Sequence, residues 1–318
     1  MTPPLSPAPL RAPAHVLTDR LSDRLAGLAS DALAAEAELT PKPGLVDGRG
    51  SGAHHDMDLG LLLKSAATLR GSFAEMASAG ARIGRPTAEL RSELARIGRR
   101  AEARMLTATG GVNTHRGAIW ALGLLTGAAA LASAPEGDAP SLAYAPSFTD
   151  ALCATAGTIA AHPDPSAPVT GPSNGQLAGV RYGGGGARAE AVAGFPHVRR
   201  ALDALRRSRA AGADETSARL DALLTVIGSL DDTCLLHRGG PTGLAAAQEG
   251  ARAVLAAGGC ASRPGRAALL RLDARMTGLG LSPGGSADLL AAALYADALS
   301  GALSGAGSTT GSTILPRS

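Results

Sequence analysis

Aromatic residues are almost missing from this chain. They make up 2% of its 318 residues, with one Trp, three Tyr and three Phe. A core built from so few rings is aliphatic and close-packed, and no row of rings is available for stacking nucleobases. β-Branched residues are also sparse beside Ala and Leu, which favours helix over sheet. Only three cysteines occur, Cys153, Cys234 and Cys260. They are far apart and form no C-x-x-C pair, which excludes a disulfide framework and reads as buried free thiols in a reducing cytosol. The net charge is only +3 and there is no long Lys/Arg run. This argues against a nucleic-acid partner and leaves room for a small anionic ligand. The opening, "MTPPLSPAPLRAPAH", lacks the basic start and apolar run of a signal peptide. An uncharged stretch from Gly117 to Pro135 approaches membrane-spanning length. Its residues are mostly Ala and Gly, and transfer energy scales with apolar area, so it reads as a helix buried among helices. A cytoplasmic protein with no membrane partner is expected.

What is plentiful is aliphatic: hydrophobic residues make up 45% of the chain. Leu17, Leu21, Leu25, Leu28 and Ala32 recur at helical spacing between His15 and Leu39. Further helices are expected from just after Asp56 to Ala79, over Thr87–Thr109, Gly117–Pro135 and Phe148–Ala161. After these come Pro196–Ala211, Asp214–His237, Pro241–Ala257, Arg263–Gly278 and Ser282–Leu299. The Pro/Gly-rich region between Ala161 and Pro196 has no periodicity and reads as a long loop. The expected fold is all-α: a single multi-helix domain over 15–300, with disordered termini at 1–14 and 301–318.

Polar residues gather in a few places in this apolar chain. In "ELTPKPGLVDGRGSGAHHDMDLGLLLKSA", Pro41 and Pro43 restrict the backbone around Lys42, which could be presented to an anion. Asp56 and Asp58 stand at a helix start, where they could serve a hard cation or simply cap the helix. In "GGVNTHRGA", Asn113 or Thr114 can cap a helix whose first turn carries His115 and Arg116. A bound phosphate would explain basic residues there; an ordinary turn is the bland alternative. In "GSLDDTCLLHRGG", a helical wheel puts Asp231 and Arg238 on the apolar face and turns Asp232 away. The alternative there is a buried structural contact. In "GLGLSPGGSADLLAAALYADAL", Ser282 is a good N-cap, Pro283 suits the first helical position, and Gly284, Gly285 and Ser286 would leave N–H groups open. Asp288 lies on a helix apolar almost all round, at the floor of a cleft where it could help hold a metal. The four-glycine run near Arg181, Arg188 and Glu190 matches neither a Walker loop nor G-x-G-x-x-G. Together these clusters suit a polyphosphate with a divalent cation in a helical cleft. A Mg²⁺-dependent ribosyl or phosphate hydrolase and a non-catalytic nucleotide-binding module remain open on the same residues.

The ordered set "TPKPGLVD…GAHHDMD", "NTHRGA", "ARAEAVAGFP", "DDTCLLHRGG" and "LSPGGSADLLA" resembles the triphosphoribosyl-dephospho-CoA synthase family, from about Leu33 to Leu299. The Thr233–Arg238 stretch resembles the malonate decarboxylase branch more than the citrate lyase branch. The resemblance implies an all-α, Mg²⁺-dependent enzyme whose substrates are ATP and 3′-dephospho-CoA. Adenine leaves, and the product goes to a transferase that loads an acyl carrier protein. Set beside the clusters above, this reaction puts the triphosphate, as an expectation from the residues themselves, on Lys42, His115, Arg116, Arg238 and the turn Ser282, Gly284, Gly285 and Ser286. Arg188 and Glu190 are further substrate contacts, Asp58 and Asp288 hold Mg²⁺, and Asp56 or Asp232 is the base. Two departures stand out. Arg116 replaces the family's common Lys, and the family-matching acid is Asp232 where the wheel favours Asp231. The oligomeric state stays open, a homodimer being one alternative.

Overall fold

Residues 14–131, 148–167, 177, 181–182 and 185–307 are described by the computed structural model, and their backbone follows most of the helical stripes read from the sequence. Eleven helices occur among them, with no strand beyond one isolated bridge between Asp47 and Gly50. The first half holds α1 (Ala14–Glu38), α2 (Leu59–Ile83), α3 (Ala88–Ala108), α4 (Arg116–Leu131) and α5 (Phe148–Ala161). The second holds α6 (Gly186–Val192), α7 (Pro196–Ala210), α8 (Glu215–Ile227), α9 (Thr233–Ala256), α10 (Arg263–Gly278) and α11 (Gly284–Gly307).

Two helices organise the rest. In α4 every residue from Ala118 to Leu131 except Trp120 is buried, and α11 is buried continuously from Leu289 to Ala296. A helix apolar on all sides needs neighbours on all sides. Accordingly α4 packs against α1, α2, α3, α5 and α11, while α11 packs against α1, α4, α7 and α8. Three of the few aromatic rings, Phe73, Phe195 and Tyr295, are fully enclosed; aliphatic residues make up most of the core. Small residues set the helix spacing. A Cβ on Gly80 of α2 would lie 2.4 Å from the Gly127 carbonyl of α4, so the two backbones meet here.

Several boundaries differ from the sequence reading. Asp58, not Asp56, caps α2, its carboxylate accepting from the Leu61 N–H at 2.8 Å. The expected helix Asp214–His237 is broken. It ends at Ile227 and resumes at Thr233 as α9, because Gly, Ser and Asp in "GSLDD" favour caps and turns over helix interior. The restart expected at Pro241 appears as a kink inside α9, where Gly240 has φ 60°. The region read as one long loop contains α6, built from the good helix formers of "ARAEA". The last helix runs on to Gly307, beyond the expected start of the tail at 301. Residues 1–13, 132–135 of the uncharged stretch and 308–318 lie outside the described residues. No helix among the described residues is long and apolar enough to cross a membrane. All three cysteines are free, and burial pushes the Cys153 thiol up to about 12.

Replacing Gly80 by Ala improves helix propensity by about 1 kcal/mol. Nevertheless the variant is expected to be less stable than the wild type, because overpacking against backbone costs about 1–3 kcal/mol. Urea unfolding of Gly80→Ala reads the sign directly.

Candidate active site

The last turn of α1 carries Glu36 inward, and the chain then doubles back through the Pro41–Pro43 segment. Lys42 therefore points into the protein rather than outward: it is 1% exposed, and its Nζ donates to Glu36 Oε1 at 2.7 Å and to the Glu36 carbonyl at 2.6 Å. Its backbone N–H donates to Asp47 Oδ2 at 2.8 Å, and Asp47 is paired with Arg49. Asp273 of α10 closes this loop, accepting from the Gly44 N–H at 3.0 Å and pairing with Arg49 at 2.8 Å.

Beside this pair stands the start of α4. Asn113 Oδ1 accepts from the Arg116 N–H at 3.2 Å, so the asparagine caps the helix. His115 is buried, with Nδ1 2.8 Å from Ser65 Oγ of α2, and Thr114 Oγ1 donates to the same hydroxyl at 2.7 Å. Ser65 thus ties Nδ1 of His115 and the Thr114 hydroxyl to α2. Nε2 is buried with no partner. Burial, followed by the charge of nearby Lys42, lowers the His115 pKa to about 4, so the ring is neutral near pH 7.

Asp288 of α11 meets the same helix start. It accepts a hydrogen bond from the Ala118 N–H. A Cβ on Gly117 would sit 2.0 Å from Asp288 Oδ2, so only glycine permits the approach. Asp288 is recessed but keeps some accessible surface. Burial first, then Glu36 and Asp232, raise its pKa well above the usual carboxylate range. Glu36, Lys42, His115, Asp232 and Asp288 thus form one electrostatically coupled group.

Asp232 is 1% exposed and caps two helices at once. Its Oδ1 accepts from the Cys234 N–H of α9 at 2.9 Å, and its Oδ2 accepts from Ser286 of α11 through both N–H and hydroxyl, each at 2.8 Å. Burial raises its pKa, and these hydrogen bonds oppose the rise. The wheel argument for Asp231 fails because that residue lies in the break before α9, where it is exposed. The open N–H turn expected at Ser282–Ser286 is partly closed: Ser286 is committed to Asp232, and Gly285 packs against the same carboxylate. Nor does Ser282 act as the cap of α11. It is 2.8 Å from His54 Nε2. Arg238 donates to His54 Nδ1 at 3.2 Å, so Nε2 bears the proton and donates to Ser282. Arg238 also donates to the carbonyls of Ala53 and Gly280, at 3.1 and 3.2 Å. It ties the 53–54 loop to the turn before α11. Burial and Arg238 lower the His54 pKa, so its approach to Asp56 at 3.6 Å is no ion pair near neutral pH.

The remaining expected residues lie around this group. Asp56 and Asp58 are exposed and line an open hollow of about 390 Å³ with Ser51, His55 and Lys64. Asp288 is not among its lining residues. Arg116 turns toward α3 and pairs with Glu102. Arg188 is exposed on α6, whereas Glu190 is buried, with Oε1 accepting from the His197 N–H and Oε2 meeting His197 Nδ1, both at 2.7 Å. Sequence reasoning missed Glu36 and Ser65. Glu36 had a signal: it continues the buried stripe Leu25, Ala29, Ala32 of α1, where a lone charge is costly. Ser65 had none.

A family model described as "CitG: ATP:dephospho-CoA triphosphoribosyl transferase" matches residues 22–306. The chain belongs to this family. Among its relatives is a probable 2-(5''-triphosphoribosyl)-3'-dephosphocoenzyme-A synthase of Pseudomonas aeruginosa strain UCBPP-PA14. It is 55% identical over 90% of this chain and 94% of the relative. The Azotobacter vinelandii protein of the same name is 52% identical over 88% of this chain and 92% of its own length. A Klebsiella pneumoniae protein named 2-(5''-triphosphoribosyl)-3'-dephosphocoenzyme-A synthase is 52% identical over 87% of this chain and 95% of its own. No solved structure matches the chain. The matched span of the CitG family model contains every candidate residue described above.

The buried pair is testable by double substitution. Lys42→Met leaves Glu36 buried without its cation and is expected to cost about 3–5 kcal/mol in urea unfolding, while Lys42→Met with Glu36→Gln recovers most of it. His115 gives a pH-dependent test. Below pH 6.5 the unfolded chain takes up a proton at this residue, while the folded chain does so only near pH 4. Stability from this group is therefore present above pH 6.5 and lost as pH falls toward 4, by about 3 kcal/mol in all. His115→Gln is expected to lose less stability than wild type across that window, read from urea midpoints at pH 7, 5.5 and 4.

Proposed function

We propose that this protein transfers the triphosphoribosyl group of ATP to the 2′-hydroxyl of 3′-dephospho-CoA, releasing adenine. The observation that carries this reading is the convergence of Asp288, Glu36, Lys42 and the unpartnered Nε2 of His115 at the start of α4, in a chain of the CitG family. In the reaction the acceptor's 2′-oxygen bonds to the anomeric carbon of the ATP ribose, and the bond from that carbon to adenine breaks. The hydroxyl proton leaves and adenine gains one. The anomeric carbon passes through an oxocarbenium-like state, which a nearby carboxylate stabilises.

Within this reading Asp288 is the group best suited to take the hydroxyl proton. Both Asp232 oxygens are engaged by helix N–H groups and the Ser286 hydroxyl, and Asp56 stands in the open hollow. Asp288 keeps accessible surface, and its raised pKa brings it closer to the range useful to a base at neutral pH. Asp232 is then a positioning residue that locks the starts of α9 and α11 together. His115 donates from Nε2 to a phosphate oxygen at the N-terminus of α4, where the helix dipole adds attraction.

Mg²⁺ fits this arrangement in a limited way. Among the described residues no group of three or more His, Cys, Asp or Glu could hold a metal ion. A phosphate-borne Mg²⁺ needs only one or two protein carboxylates. Asp58 provides such a place through the oxygen not used in capping α2, while Asp288, which takes the proton in this reading, is not a ligand, a departure from the expected pair. When bound, the ion supplies charge neutralisation of the triphosphate. The product's onward use follows the malonate decarboxylase branch, on the support of Thr233–Arg238 alone.

Mass analysis of ATP with 3′-dephospho-CoA is expected to show adenine and a product joined through the ribose. ADP or free ribose triphosphate formed without an acceptor would favour a hydrolase. Asp288→Asn separates function from stability. A carboxyl whose folded pKa is raised stabilises the fold only below its unfolded pKa of about 3.9 and weakens it above. The variant is expected to melt above the wild type at pH 7 and to release no adenine.

A further inference from the structure

A second cavity lies on the opposite side of the first turn of α4. It occupies about 220 Å³ between α3 and α4, with Met76, Leu94, Ala95, Ile119 and Leu124 forming an apolar lining. Arg91, Arg99 and Arg116 stand around it with Glu102 and Asp164. Two of the three guanidinium groups are balanced: Arg99 pairs with Asp164 at 2.6 Å, and Arg116 with Glu102. Arg91 is not balanced. It is 8% exposed, its Nε has no partner, and no carboxylate pairs with it among the described residues. Its guanidinium stacks over the Trp120 ring at 4.9 Å, which orders it without neutralising it. Burial lowers its pKa; the nearby Asp164, committed to Arg99, opposes this, and the charges of Arg188 and Arg99 add to it. A buried guanidinium with no anion in direct contact is costly unless a ligand supplies one.

We infer that this groove binds the acceptor nucleotide through its pantetheine arm, with Arg91 receiving the adjoining diphosphate. The inference rests on the transfer reading above. The lining matches that ligand in two respects. The cavity is smaller than the usual 300–1,000 Å³ or so of a site enclosing a drug-sized molecule, which suits a slender arm. Its surplus charge is one guanidinium over an apolar floor, complementary to a diphosphate joined to a mostly uncharged chain. A triphosphate would need more cations and would gain nothing from Met76 and Leu94. The placement also suits the chemistry. Arg116 lines the groove, and the next two residues, Gly117 and Ala118, touch Asp288. An acceptor held by its arm would bring its ribose to the same turn of α4 that Asp288 faces.

Calorimetric titration with 3′-dephospho-CoA, 4′-phosphopantetheine and ATP, each alone, tests the assignment. Arg91→Met is expected to weaken the first two ligands about tenfold or more, the loss of a charge-assisted contact. Ala95→Phe, which narrows the groove from a partly exposed position, is expected to do the same without removing charge. ATP affinity stays within about twofold of wild type in both variants, since its site is elsewhere. Circular dichroism checks that each variant is folded, and Ala95→Phe suffices where Arg91→Met is not. Unchanged dephospho-CoA affinity in the folded variants, or an equal loss for ATP, overturns the inference. Adenine release by the wild type is measured alongside. Arm-dependent binding with no adenine removes the transfer reading alone, and adenine release with no groove dependence removes the groove alone.

Discussion

The contact between Asp288 and the start of α4 is the constraint on which the rest of the site depends. Two helices apolar on almost all sides, α4 and α11, approach closely at the centre of the fold. At their meeting point a carboxylate takes the place a side chain would fill, because residue 117 is glycine. The carboxylate faces helix N–H groups and the positive end of the dipole, which partly offset the cost of burying it. Once that contact is set, the neighbours of Gly117 are placed too. His115 turns inward toward Ser65, and Arg116 turns outward toward α3.

Around this contact the polar groups fall into two kinds. Some are satisfied within the protein: Lys42 by Glu36, Asp232 by two helix starts, Glu190 by His197, and His54 between Arg238 and Ser282. These hold loops and helix ends in place. Others are less fully met: His115 Nε2 and Arg91 Nε have no partner, and Asp288 has only the Ala118 N–H and a raised pKa. The hydroxyls of Thr126, Thr149 and Tyr295 are also unpartnered within the core, but His115, Arg91 and Asp288 border a cavity or one another, where a ligand would complete the pairing. Asp288 meets the first turn of α4, and Arg91 stands in the groove that Arg116 of the same turn lines.

Much of this was legible in the sequence, and the gaps have particular causes. The helical stripes of α1, α3, α7 and α10 were read close to their observed limits. The break between α8 and α9 was missed because the wheel was carried through "GSLDD", where side chains compete with the helix for backbone groups. That error exchanged Asp231 for Asp232. Lys42, placed between two prolines, looked like a residue presented to an anion. Its partner, Glu36, sits only six residues earlier, on a buried face that the wheel would have flagged. Arg91 and Trp120 were invisible as a pair, since each looks ordinary within its own helix.

From the sequence alone came the all-helical class, the burial of the uncharged α4, and the small set of segments that carry chemistry. These depend on periodicity and residue type, which act over a few residues at a time. Tertiary structure decided which of those segments share a site and which way each charge faces. It joined Asp288 to Gly117, Asp232 to Ser286 and Arg238 to His54, contacts spanning 54 residues for one pair and 184 for another. Such meetings follow from how closely helices can cross, and that is set by side-chain volumes summed over the whole core rather than by any local pattern.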